Sequence, residues 1–105
     1  MRYGVFADIH GNLEALETAL EYARKRCVSR YMVLGDSIGY GANPNECLDW
    51  ALRNATFHVL GNHEAAILRE ELGERFTGGA HQAIRWTAEW LKPELLSGIR
   101  ICPIF

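Results

Sequence analysis

Residues 58–64 read HVLGNHE: an apolar rise, a glycine, then an amide, an imidazole and a carboxylate side by side. The same kind of ending occurs twice upstream, as VFADIH at residues 5–10 and MVLGD at residues 32–36. Three short runs lead into these endings: Tyr3 to Ala7, Tyr31 to Leu34 and Phe57 to Leu60. Each is mostly apolar rather than alternating, which predicts strands buried on both faces.

Helical patterns fill the intervals. Leu13, Leu16, Leu20, Ala23 and Cys27 recur at helical spacing and predict a first helix with that face inward. Asn43-Pro44-Asn45-Glu46 reads as a second helix start, with Asn43 as N-cap, Pro44 in the first turn and Glu46 reaching back. Cys47, Leu48, Ala51 and Leu52 then supply its buried stripe. A third helix is predicted from about Glu64 to Leu72, stopping at Gly73. A fourth runs from Gly79 to Leu91, with Ala80, Ala83, Ile84, Thr87 and Trp90 or Leu91 inward, and Pro93 ends or kinks it. Strand and helix in this alternation imply an α/β chain, a parallel βαβαβα unit with right-handed crossovers.

The bulk properties narrow the classes. A length of 105 residues fits at most one domain. The apolar and charged fractions, 49% and 23%, are those of an ordinary soluble chain. A net charge of −2 gives no footprint for nucleic acid or an anionic membrane, so neither is an expected partner. The one basic cluster, Arg24-Lys25-Arg26, falls where the first helix should end and favours its dipole. No secretory leader pattern follows Met1, and no apolar run approaches the ~20 residues of a membrane span. Cys27, Cys47 and Cys102 are odd in number, widely spaced and lack a CxxC, as expected of thiols in a reducing compartment. The cytoplasm is the expected location.

In an open parallel sheet, side chains beyond the carboxyl ends of adjacent strands converge on one crevice. Asp8, His10, Asp36, Asn62 and His63 should therefore meet in space. A carboxylate and an imidazole two residues apart suit Mn²⁺, Fe or Zn²⁺. Asp36 has two oxygens with which to bridge a pair of ions, and Asn62 offers a neutral oxygen to the second. His63 is placed to protonate a leaving alcohol. Glu64 would orient that imidazole or serve the helix dipole. Two ions ~3.5–4 Å apart, clamping a phosphate and activating a water, form the two-metal hydrolytic arrangement.

FADIHGNLEAL, VLGDSIGYGANPNE and VLGNHEAA resemble the first three motifs of the calcineurin-like metallophosphoesterase superfamily. Their flanks are most similar to its small bacterial and archaeal phosphodiesterase branch. The resemblance implies a dinuclear metal hydrolase of phosphomono- or phosphodiesters, built as a four-layer α/β/β/α sandwich. Asp8 and His10 then resemble ligands of the first metal, and Asp36 the bridging ligand. Asn62 resembles a second-metal ligand that also touches phosphate, and His63 the catalytic histidine. Mn²⁺ is the first choice of ion, with Fe, Zn²⁺, Ni²⁺ and Mg²⁺ as alternatives. The family completes its site with later VHG and GHxH motifs, which have no counterpart here. The other histidines do not replace them: His58 reads as a hydrogen-bonded strand histidine, and His81 lies in a helical pattern. Residues 1–105 are therefore expected to form the N-terminal half of the domain, with activity of the isolated chain open and a sheet edge exposed for self-association.

Two other readings compete. GDSIGYG resembles the nucleophile block of GDS-type esterases, with Ser37 attacking an ester carbonyl. Here, however, GDS follows the second strand, no terminal DxxH exists, and DIH goes unexplained. The glycines Gly35, Gly39 and Gly41 are spaced GxxxGxG rather than GxGxxG and fit turn chemistry. The third reading is a non-catalytic, degenerate metal-binding or interaction module. Trp86 and Trp90 read as core or interface anchors.

Overall fold

Three parallel strands form the sheet: β1 (Tyr3–Phe6), β2 (Arg30–Val33) and β3 (Ala55–His58), in the order β1-β2-β3. They belong to a computed structural model that describes residues 1–69 and 75–102. Helix α1 (Leu13–Lys25) joins β1 to β2 and α2 (Pro44–Asn54) joins β2 to β3; α3 (Asn62–Leu68), α4 (Gly79–Trp90) and α5 (Pro93–Arg100) follow. The α/β class and the parallel pairing are those the sequence predicts. The third strand is displaced, starting at Ala55 rather than Phe57. Its register against β2 shifts between Tyr31 and Met32, passing over Thr56. Pairing outlasts the strand itself, because Val59 N–H still donates to the Val33 carbonyl at 3.0 Å.

Alternation along the strands decides what each face carries. Phe6 and Tyr31 point toward the helices, each ring 5.3 Å from Trp50 of α2. Phe6 also joins Ile9, Leu13, Leu16, Leu20 and Cys47 in a core cluster between β1, α1 and α2. The other face carries Tyr3, Val5 and Phe57, which are 50%, 59% and 48% exposed. Burial of the strands on both faces is therefore not realised in this chain. An unalternating apolar run records the chemistry of its side chains, and the helices described cover only one side.

Helix α1 begins where the Asn12 side chain accepts the Ala15 N–H at 3.1 Å, a cap worth about 1 kcal/mol. Its last turn carries Arg24 and Lys25, as the dipole favours. Cys27, expected on the buried stripe, lies past the helix end, is exposed, and has φ 59. The stripe closes at Ala23 because the chain turns there toward β2.

Helix α2 starts at Pro44 after Asn43, but Glu46 reaches back to the Asn43 side chain (2.8 Å), which makes no side-chain cap bond of its own. Its buried Leu48 anchors the larger core cluster, with Ile38, Leu60, Leu91, Leu95 and Ile99. Helix α3 ends at Leu68; the predicted stop at Leu72 and Gly73 lies outside the described residues. In α4, Ile84 and Thr87 are buried and Leu91 follows them inward, whereas Trp90 is 61% exposed. Trp86 and Trp90 instead lie against each other on the surface, centroids 5.6 Å apart.

Pro93 does more than end α4: it opens α5. Lys92 takes the extended backbone that a following proline imposes (φ −66, ψ 140). The side chain of Asn45 spans the break, donating to the Trp90 carbonyl at 2.9 Å and accepting the Lys92 N–H at 2.8 Å. Leu95 and Ile99 then seal the core from below α2. No helix among the described residues is long and apolar enough to cross a membrane.

Candidate metal centre

The exits of β1 and β2 are zipped together beyond the strands. Asp8 N–H donates to the Gly35 carbonyl (3.2 Å), His10 N–H to that of Asp36 (2.9 Å), and Gly11 N–H to that of Ser37 (2.8 Å). This pairing brings Asp8, His10 and Asp36 to one rim, each in left-handed backbone (φ 56, 51 and 57). Such a posture costs an L residue about 1–2 kcal/mol, least for Asp, so three in a row mark a rim held under tension. One ligand atom from each of the three lies within 4.8 Å of the others. Among the described residues this is the one such group of three or more histidines, cysteines or acids.

The chemistry of the donors fits a divalent cation. His10 Nδ1 lies 3.0 Å from the Ile38 carbonyl, which can only accept, so Nδ1 carries the proton. The other ring nitrogen, Nε2, faces Asp8 Oδ1 at 3.5 Å, a pair that a proton or a divalent cation can bridge. A backbone carbonyl fixing the ring through its other nitrogen is also how metal-binding histidines are commonly oriented.

The third strand end arrives through α3. His63 N–H donates to Asp36 Oδ1 at 2.9 Å, so the helix start butts against the Asp36 carboxylate. Asn62, next to it, is exposed at the rim. Gly61 permits the approach, because a Cβ there would fall on the Asp36 carboxylate. Glu64 is fully buried: Oε1 accepts the N–H groups of Asp36 (2.7 Å) and Gly61 (2.8 Å), and Oε2 accepts that of Ile38 (3.3 Å). Burial pushes its carboxyl above the usual value, opposed by these bonds and aided by the Asp36 charge. Glu64 therefore does not orient the His63 imidazole as the sequence suggested. Both its oxygens are committed to backbone, tying the β2 exit to the β3 exit.

His63 is 4% exposed, with its ring centroid 4.7 Å from His10, 4.9 Å from Tyr40 and 5.1 Å from Phe76. Gly39 makes room, since a Cβ there would land on His63 Nδ1. That nitrogen is buried without a hydrogen-bond partner among the described residues. Burial holds the imidazole below the usual histidine value; Asp36 and Asp8 pull it upward, and His10 adds to the lowering. A buried imidazole beside two carboxylates is placed to pass a proton. Tyr40 and Phe76 escaped the sequence reading. Tyr40 sits in the glycine-flanked GYG, which was a signal; Phe76 lies 13 residues beyond His63 with none.

The remaining candidates fall outside this cluster. Ser37 is fully buried and its hydroxyl has no partner among the described residues, so no base stands ready to activate it as an esterase nucleophile. His58 faces the helices, with Nδ1 3.3 Å from Cys102 Sγ. His81 lies on α4 and is not among the clustered groups.

Comparison with known proteins bears on the same residues. The sequence matches the calcineurin-like phosphoesterase family over residues 1–101. It is 38% identical over 100 residues to the uncharacterized protein MJ0912 of Methanocaldococcus jannaschii, covering 95% of this chain and 41% of that one. The fold superposes on the crystal structure of a metallophosphoesterase from Sphaerobacter thermophilus with a TM-score of 0.81 at 33% identity, covering 98% of this chain and 41% of the other. The chain thus spans about two fifths of the length of the relatives it matches, and its three-stranded parallel unit matches the N-terminal half of a metallophosphoesterase fold. With its motifs, its fold and its rim in agreement, the chain belongs to the calcineurin-like phosphoesterase family.

Proposed function

We propose that this chain contributes Asp8, His10, Asp36, Asn62 and His63 to a dinuclear, metal-dependent phosphoester hydrolase. The observation that carries the reading is the meeting of Asp8, His10 and Asp36 within 4.8 Å on one rim, with the His63 ring against His10. Asp8 and His10 would hold one ion, Asp36 would bridge, and Asn62 would hold the second ion and touch phosphate. Divalent ions bound there supply Lewis acidity toward phosphoryl oxygens and lower the pKa of water. His63, largely shielded from solvent, would stabilise the departing alcohol oxygen or donate a proton to it.

Residues 1–105 supply one half of such a domain in this proposal, and the remaining ligands come from protein beyond this stretch. The 41% coverage of both relatives supports that division. Manganese as the ion, a phosphodiester substrate, a cytoplasmic location and self-association through an exposed sheet edge complete the reading. Calorimetric titration with Mn²⁺, followed by an assay with bis(p-nitrophenyl) phosphate, tests it. Saturable Mn²⁺ binding that Asp36→Asn removes is the expected result. Mn²⁺ binding that Asp36→Asn leaves unchanged would refute it.

A further inference from the structure

Tyr40 stands beside the site in a placement that neither burial nor metal binding explains. Its side chain is 58% exposed, yet its backbone sits at φ 64, a posture bulky L residues rarely adopt. The ring meets His10 edge to face at 5.1 Å and leans on His63 at 4.9 Å. It also forms one wall of a cleft of about 510 Å³ that continues from the metal rim, together with Asp8, His10, Asn12, Glu14 and Asn43. A strained backbone kept for a side chain that gains little from leaving water points to function rather than to packing.

We propose that Tyr40 is a specificity-determining residue that stacks on a planar, uncharged aromatic group attached to the alcohol side of the phosphoester. The inference rests on the phosphoester-hydrolase reading above. Two histidines fix the ring without enclosing it, so the exposed part is free to meet a ligand. Away from the metal rim the cleft wall carries the carboxylate of Glu14 and, among the described residues, no lysine or arginine. That wall favours an uncharged ring, which gains an aromatic partner, over a second phosphate. Asn12 and Asn43, also on the wall, offer amides to polar atoms at the edge of that ring.

The test compares binding of methylphosphonate and phenylphosphonate to the Mn²⁺-loaded chain by calorimetry. Both carry the same charged head, and only the second carries a ring. Phenylphosphonate should bind about 5- to 10-fold more tightly, the worth of one well-placed aromatic pair. Tyr40→Phe should keep that ratio. Tyr40→Asn, which tolerates left-handed backbone, should bring it close to one. A wild-type ratio near one overturns the inference without any variant, as does a ratio that survives in Tyr40→Asn. Failure of both phosphonates to bind also overturns the inference, whereas Mn²⁺ binding indifferent to Asp36→Asn would sink the phosphoester reading itself, which is a distinct result.

Discussion

The carboxylate of Glu64 accepts the backbone N–H of Asp36 at 2.7 Å, across 28 residues of sequence and from a position with no exposed surface. One side chain thereby sets where the central acid of the rim can stand. Asp36 in turn accepts the N–H of His63, so the two loops lock reciprocally.

Removing that staple should be costly. Glu64→Ala leaves the N–H groups of Asp36, Gly61 and Ile38 without their acceptor, and the chain should lose about 2–4 kcal/mol of stability. Urea unfolding measures it. A loss below about 1 kcal/mol would mean that water replaces the carboxylate at no penalty.

Direct loss of a ligand should act on binding more than on folding. Asp36→Asn is expected to weaken Mn²⁺ binding by more than the ~10–100-fold typical of a mutated outer partner. Glu14→Gln, on the cleft wall but outside the cluster, should leave Mn²⁺ affinity unchanged. Equal effects from both would reduce the site to diffuse negative charge.

A methyl group at Gly61 offers a finer probe. The backbone there (φ −90, ψ −172) suits alanine, but the new Cβ falls on the Asp36 carboxylate and crowds its N–H. Gly61→Ala should cost about 1–3 kcal/mol and weaken Mn²⁺ binding at least tenfold. Gly79→Ala, with no atom within 4 Å of the added methyl, should leave Mn²⁺ binding unchanged and the fold no less stable.

Acid should loosen the fold partly through His58. Burial holds its imidazole below the ordinary 6.5, so the unfolded chain takes up the proton first as pH falls. The stability due to this neutral histidine is complete above pH 6.5 and is lost as pH drops through the lowered folded value. His58→Leu should reduce the slope of urea stability between neutrality and about pH 5. Some slope should persist, because His63 is lowered for the same reason. An unchanged slope would place the acid sensitivity elsewhere.

Much of the rim was legible because its grammar is local. An apolar run followed by an acid or imidazole names both a strand and its exit, and Asp8, His10 and Asp36 meet as that grammar requires. The partners of Glu64 were not legible, since they lie 26 to 28 residues upstream, apart from Gly61, and depend on how two loops dock. Helix α5 left a signal that went unused: Pro93 at its first position, then Leu95, Leu96 and Ile99 on one side. Gly98 weakened the pattern, yet a Cβ there would strike Leu52, so packing outweighs helix propensity. The uncovered sheet face had no signal at all, for Tyr3, Val5 and Phe57 look the same in sequence whether or not something lies over them.

The left-handed backbone at Asp8, His10 and Asp36 makes the rim a loaded spring, and an ion bound there, as proposed, would act as its catch. Starved of metal, the two carboxylates push apart on a chain already inclined to relax. Chelation should therefore soften the β1 and β2 exits before any helix, and a protease would reach those loops first. If the proposed ions are its ligands, scarcity of a trace element would then shorten the lifetime of the polypeptide.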